Sequence, residues 1–185
     1  MCFCQFLKEY GAAIAPLIAS IIALPTGYFI YRAWWQAKET LRQTVFQQLL
    51  VEYSSSEMAV SIRWLWLFYE ECEDEADFVA KFAEITSQFQ ENPIEYSPHA
   101  SHRRKVCLFY KRLATLYVSR VLPLWLIKKW WNKGTLEIIP KILVPIEVEA
   151  IPIGMGADPI PEEEYEESLN NMIRLYKAVK GKKNS

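Results

Sequence analysis

The 185-residue sequence lacks the patterns that mark a catalytic or metal centre. Its four cysteines, Cys2, Cys4, Cys72 and Cys107, show no paired zinc spacing; only Cys2-Phe3-Cys4 is close. In a cytosolic body Cys72 and Cys107 stay reduced and read as small buried apolar residues. Cys2 and Cys4, beside an apolar run, are acylation candidates in a host with that machinery. The two histidines, His99 and His102, lie three apart. One helical turn would bring them together as metal ligands, but Pro98 and Ser101 place His99 ahead of the helix, and no third ligand has motif spacing. Gly154-Met155-Gly156 is a lone glycine pair without the strand-to-helix context of a phosphate loop, so it reads as a flexible connector. No Walker loop, serine nucleophile elbow, zincin helix or carboxylate pair with a proposed partner is present. These absences leave no catalytic residue, cofactor or metal to assign, and the chain reads as a non-enzyme. Repeats and low-complexity tracts are also lacking. With 21 Lys+Arg against 22 Asp+Glu, the net charge of −1 favours no partner class.

Charge is missing from the whole run between Tyr10 and Tyr31. At about 1.5 Å per residue a helix of that length reaches ~33 Å, enough for a hydrocarbon core of roughly 30 Å. Residues 10–33 therefore read as one transmembrane helix behind a short tail, residues 1–9. Pro16 and Pro25 are tolerated in lipid, where no better backbone arrangement exists, and a kink is expected near Pro25. Tyr28, Tyr31, Arg32, Trp34 and Trp35 follow as the belt expected at the membrane interface. A cleaved signal peptide would have a shorter apolar region, a more basic start and a small-residue cleavage site. Lys8 alone precedes the span, whereas Arg32, Lys38 and Arg42 follow it. The expected orientation is N-terminus outside and bulk of the chain cytoplasmic, at a plasma (inner) membrane.

The expected fold is all-α: a helical domain over residues 34–150, a Pro/Gly connector at 151–161, a C-terminal amphipathic helix at 162–180 and a tail at 181–185. A helix over 34–52 carries Leu41, Val45, Phe46, Leu49 and Leu50 on one face. With Ser54 as N-cap, Glu57 falls at the N3 position of a capping box. Met58, Ile62, Leu65, Tyr69 and Cys72 form the core face of the next helix. A further helix covers 74–89 with Phe78, Phe82, Ile85 and Phe89 inward, and Asn92-Pro93 and Ser97-Pro98 mark a loop at 91–98. Ser101 then caps a helix burying Val106, Phe109, Leu113, Leu116 and Tyr117. Pro123 opens a short helix over 124–131. Residues 135–149 are ambiguous: Ile138, Ile139, Ile142, Val144, Ile146 and Val148 favour strand, but Pro140 and Pro145 disfavour a central strand and an undisturbed helix alike. Near the chain end, Pro161 starts a helix with Glu162, Glu163 and Glu164 in its first turn, where the macrodipole favours acids.

Acids are absent between Tyr96 and Leu136, where nine bases lie: Arg103, Arg104, Lys105, Lys111, Arg112, Arg120, Lys128, Lys129 and Lys133. Trp125, Trp130 and Trp131 are interleaved with them. One reading is contact with anionic lipid or a partner through Lys128, Lys129, Trp130 and Trp131. Another is nucleic acid, which an anchored domain makes the less favoured anion. The plain reading is that these bases face acids within the bundle, or water. Arg103 and Arg104 point about 100° apart on a helix. One of them is expected to form a buried structural ion pair with Glu57, Glu70 or Glu73 while the other stays free.

Several stretches carry a resemblance. They are 52–58 (Glu-Tyr-Ser-Ser-Ser-Glu-Met), Arg103-Arg104-Lys105-Val106 with Phe109-Tyr110 and Leu113, Leu116-Tyr117 with Val121-Leu122-Pro123, and the run 136–147. Together they resemble an uncharacterised family of single-pass, membrane-anchored prokaryotic proteins with a cytosolic helical domain. The likeness covers the chain from the anchor to about residue 147 and consists of helix-packing patterns. It implies one anchor and a cytosolic all-helical domain, and it favours a proline-kinked helix over 135–149. It implies no reaction. The function expected is that of a membrane-anchored helical interaction or scaffolding protein, in contact with membrane lipid and with a protein partner or a second copy. The alternative is an oligomerising membrane effector or stress/defence protein, for which Gly11, Ala12, Ala13, Ala15, Ala19, Ser20 and Ala23 offer a small-residue packing face. An enzyme of unrecognised type would need a polar pocket that the sequence does not reveal.

Overall fold

The computed structural model describes the backbone of residues 3–181 and the side chains of residues 26–94 and 98–181. Among these residues the chain is all-helical, with no strand. It divides into two compact units, residues 1–45 and 46–185. Helix α1 (Phe3–Tyr53) crosses that division. Among the described residues no helix is long and apolar enough to cross a membrane. Most of the expected span, with Pro16, the kink at Pro25 and the small-residue face, falls outside the described side chains, as do Cys2 and Cys4. In the described part of the first unit, Tyr28, Tyr31, Arg32, Trp34 and Trp35 are all exposed. The Tyr31 and Trp34 rings lie 6.3 Å apart, and Lys38 Nζ sits 5.2 Å over Trp34. Leu41, expected on the apolar stripe, is exposed.

The second unit is a helical bundle. Its helices are α2 (Ser56–Glu70), α3 (Glu75–Glu91), α4 (Pro93–Val118), α5 (Leu124–Trp130), α6 (Lys133–Leu136), α7 (Ile151–Gly154) and α8 (Glu167–Lys180). The cap of α2 is one residue later than the sequence suggests. Ser55 Oγ accepts from Met58 N–H at 3.2 Å, and Ser54 Oγ instead donates to the Leu50 carbonyl at the end of α1. Each serine thus satisfies one of the two helix ends that meet there. Asp74, expected in the first turn of α3, is its N-cap and accepts from Asp77 N–H at 2.8 Å.

α4 starts earlier than expected. The loop predicted at 91–98 is helical from Pro93, so Ser101 is not a cap and His99 lies within the helix. A proline at the first position loses nothing, because that N–H has no intrahelical acceptor. Pro98 removes a single bond near the helix start, which the rest of a long buried helix outweighs. Val106, Phe109, Tyr110, Leu113 and Ala114 are fully buried along it.

The ambiguous segment is helical, so the strand reading fails. Two π-helical turns, Ile139–Leu143 and Ile146–Ala150, lead directly into α7. Val144 N–H donates to the Ile139 carbonyl and Ile151 N–H to the Ile146 carbonyl, each a five-residue step. Widening the turn lets the ladder pass Pro140, Pro145 and Pro152, which lack donors and would crowd the carbonyls of a tighter helix. Ile138, Ile139, Ile142, Leu143, Ile146 and Val148 are buried. A helix satisfies the backbone of such a segment internally, whereas a strand would need a neighbour that the proline pattern cannot pair with. α7 replaces the start of the expected 151–161 connector. Gly154 ends it against α3: a Cβ there would lie 2.5 Å from the Ala83 carbonyl oxygen and 2.6 Å from Thr86 Cβ. The acidic run Glu162–Glu164 forms a separate 3-10 turn, and α8 begins only at Glu167.

Candidate functional site

Four bases of α4 meet acids brought by other elements. Arg103 Nη1 donates to Glu147 Oε1 at 2.5 Å, and Lys111 Nζ lies 3.5 Å from the other oxygen of Glu147 and 3.4 Å from Glu166. Lys105 pairs with Glu57 at 2.5 Å and Arg112 with Glu52 at 2.8 Å. The acid that meets Arg103 is none of the expected Glu57, Glu70 and Glu73. Arg103 takes Glu147, from the second π-helical turn, and Arg104 is exposed in a groove beside Lys105 and Arg112. Glu57 is engaged by Lys105. Glu70 and Glu73 are exposed.

Glu147 is the node of this arrangement. Its side chain is only 17 % exposed and bridges Arg103 and Lys111. Cys107, one turn from both bases on α4, is 4 % exposed. Burial pushes its thiol up to about 12, and the neighbouring Glu147 carboxylate adds to the push. The thiol is therefore protonated and inert at neutral pH, an apolar filler beside Glu147. The signal for Glu147 was present in the sequence: an acid inside an apolar, buried run must find a cation or be neutralised.

The histidines belong to a different cluster. Ser61 Oγ lies 2.7 Å from the Glu57 carbonyl oxygen and 3.0 Å from His102 Nδ1, so it links the α2 backbone to the imidazole. Burial, with His99 and Lys105 nearby, holds the His102 pKa below its usual value. Trp64 stacks on Phe68 at 5.4 Å and contacts His99 at 4.9 Å and His102 at 5.5 Å. Among the described residues no three His, Cys, Asp or Glu side chains gather as a metal site.

Beside Arg103 an apolar cavity of about 250 Å³ opens between α3, α4 and α7. Phe82, Ile85, Phe89, Ile151 and Met155 line it, with Thr86 and Gln90 from α3.

α5 presents the second candidate surface. It is seven residues long, and it buries Ile127 while Trp125, Lys128, Lys129 and Trp130 are exposed. Trp131, grouped with these on sequence, does not belong to the surface. It is fully buried, with its ring 6.2 Å from Phe46, 5.7 Å from Tyr53 and 6.0 Å from Phe109. Its indole N–H is buried without an acceptor among the described residues. The fold and these surfaces define an all-helical protein with a buried ionic node and an exposed aromatic–basic helix. Comparison of the chain with protein-family models, with curated proteins and with solved structures found no match.

Proposed function

We propose that the protein is a membrane-anchored helical interaction or scaffolding module, tethered through residues 10–33 to a prokaryotic inner membrane. Its bundle lies on the cytoplasmic side, and α5 rests on anionic headgroups. The observation that carries the lipid contact is α5 itself: Trp125, Lys128 and Lys129 occur at helical spacing and are exposed, with Trp130 beside them. Each base near an anionic leaflet contributes about 1 kcal/mol, and tryptophan suits the headgroup layer. The bases of α4 that pair with Glu52, Glu57 and Glu147 are engaged within the fold, whereas Lys128 and Lys129 of α5 face outward together. The uncharged run 10–31 and the bases after it, Arg32, Lys38 and Arg42, support the anchor and its orientation.

Amide hydrogen exchange of the full chain in nanodiscs tests the contact. Exchange over 124–130 is expected to slow in anionic bilayers relative to zwitterionic ones, and to recover in high salt or in the variant combining Lys128→Glu and Lys129→Glu. Equal exchange in both bilayers at low salt would remove the lipid reading of α5.

A further inference from the structure

We propose that the cavity between α3, α4 and α7 binds a short-chain amphiphilic carboxylate, its alkyl tail inside and its carboxylate on Arg103. The cavity holds about 250 Å³. At ~30 Å³ per water-sized group, roughly eight carbons fill it. Its walls are the side chains of Phe82, Ile85, Phe89, Ile151 and Met155, which offer a tail contact but no orientation. Arg103 supplies the orientation. One guanidinium nitrogen, Nη1, is committed to Glu147, and the planar fork carries five N–H donors in all. Its side chain is 23 % exposed, so its charge is partly withdrawn from water, where a second carboxylate is worth more. Met155, 63 % exposed and flexible, forms a rim that can fold over a tail. Gly154, next to Met155, allows α7 to approach α3 closely at Ala83 and Thr86.

Octanoate is the probe, with 1-octanol as the uncharged molecule of equal length. The full chain is studied in nanodiscs, with carbon-13 on its methionine methyls. The cavity methionine, Met155, reports binding, while the fully buried Met58 and Met172 serve as internal references. Octanoate is expected to move the Met155 resonance saturably, at a free concentration roughly tenfold below that needed for octanol. Arg103→Gln should raise the octanoate midpoint roughly tenfold and leave that of octanol in place. Because Arg103→Gln also disturbs the Glu147 pair, Gln90→Glu provides an independent arm. It sets a like charge on the exposed cavity edge, leaves the ion pair intact, and should weaken octanoate but not octanol. Absence of a saturable octanoate shift would overturn the proposal. So would equal midpoints for the two ligands, or an octanoate midpoint that neither substitution changes.

Discussion

The bases of α4 and the bases of α5 come from one acid-free stretch of sequence, yet the fold treats them oppositely. On α4, Arg103, Lys105, Lys111 and Arg112 each meet a carboxylate that arrives from a distant part of the chain. On α5, Lys128 and Lys129 are exposed, and no such partner reaches them among the described residues. The difference comes from what packs around each helix. α4 is long and central, so the ends of α1 and α2 and the second π-helical turn cross it and deliver Glu52, Glu57 and Glu147. α5 is short and contributes little more than Ile127 to the core. Segregated charge along a sequence therefore does not imply segregated charge on a surface, because tertiary packing can bring the missing sign from elsewhere.

The same contrast holds between adjacent residues at the end of α5, and here the largest effect is expected. Trp131 is fully buried among Phe46, Tyr53 and Phe109, whereas Trp130 is half exposed. Trp131→Ala should cost about 3–5 kcal/mol in urea unfolding of the full chain. Trp130→Ala should cost less than about 1 kcal/mol, because its main packing is one edge-on contact with Phe46. Trp131→Phe should fall between them, since it leaves a smaller void and removes an indole N–H that has no acceptor. Equal unfolding midpoints for the two alanine variants would erase the distinction between the core and surface sides of this turn.

Breaking the ionic node comes next. Glu147→Gln leaves Arg103 and Lys111 partly buried without their shared negative charge, and should cost about 2–3 kcal/mol. Lys128→Ala on α5 should stay within about 0.5 kcal/mol of the parent. Replacing both members of the buried pair, Arg103→Met with Glu147→Leu, should recover most of the loss, because the unpaired charge and not the missing bond is what destabilises. If Glu147→Gln unfolds like Lys128→Ala, the α4 bases are no more structural than those of α5.

Much of the bundle was legible from spacing. Met58 and Leu65, Phe78 and Phe82, and Val106, Phe109 and Leu113 lie at helical intervals and are buried as that periodicity requires. Proline misled in both directions. Asn92-Pro93 and Ser97-Pro98 look like loop punctuation, yet a helix start absorbs them. Pro140 and Pro145 among β-branched residues weigh equally against strand and helix, and local propensity contains no term for a π-helical turn that bypasses them. The ionic node was half legible. The 100° between adjacent helical positions separates Arg103 from Arg104, but the partner acid depends on which element crosses α4, a long-range fact. Trp131 shows the same limit: next to Lys128, Lys129 and Trp130 it reads as surface, and only the closure of α1 over α5 within the second unit makes it core.

Cys107 sharpens the comparison with the smallest effect, because it senses the node without completing it. Its folded pKa of about 12 lies above the ordinary thiol value of 9.0. A raised pKa means that the folded state holds the proton more tightly than the unfolded chain. The contribution is therefore fully present below pH 9 and is lost as pH rises toward 12. At about pH 10 the loss should be on the order of 1 kcal/mol. Tyr53 and Tyr110 are also pushed up by burial and act in the same direction, so the parent alone does not isolate the thiol. The difference between parent and Cys107→Ala does. Urea unfolding should show the gap between these two proteins moving in favour of the alanine variant between neutral pH and about pH 10, by roughly 1 kcal/mol. A gap that does not change with pH would mean that the thiol ionises as easily folded as unfolded. The surroundings of Glu147 would then be as wet as those of the bases on α5.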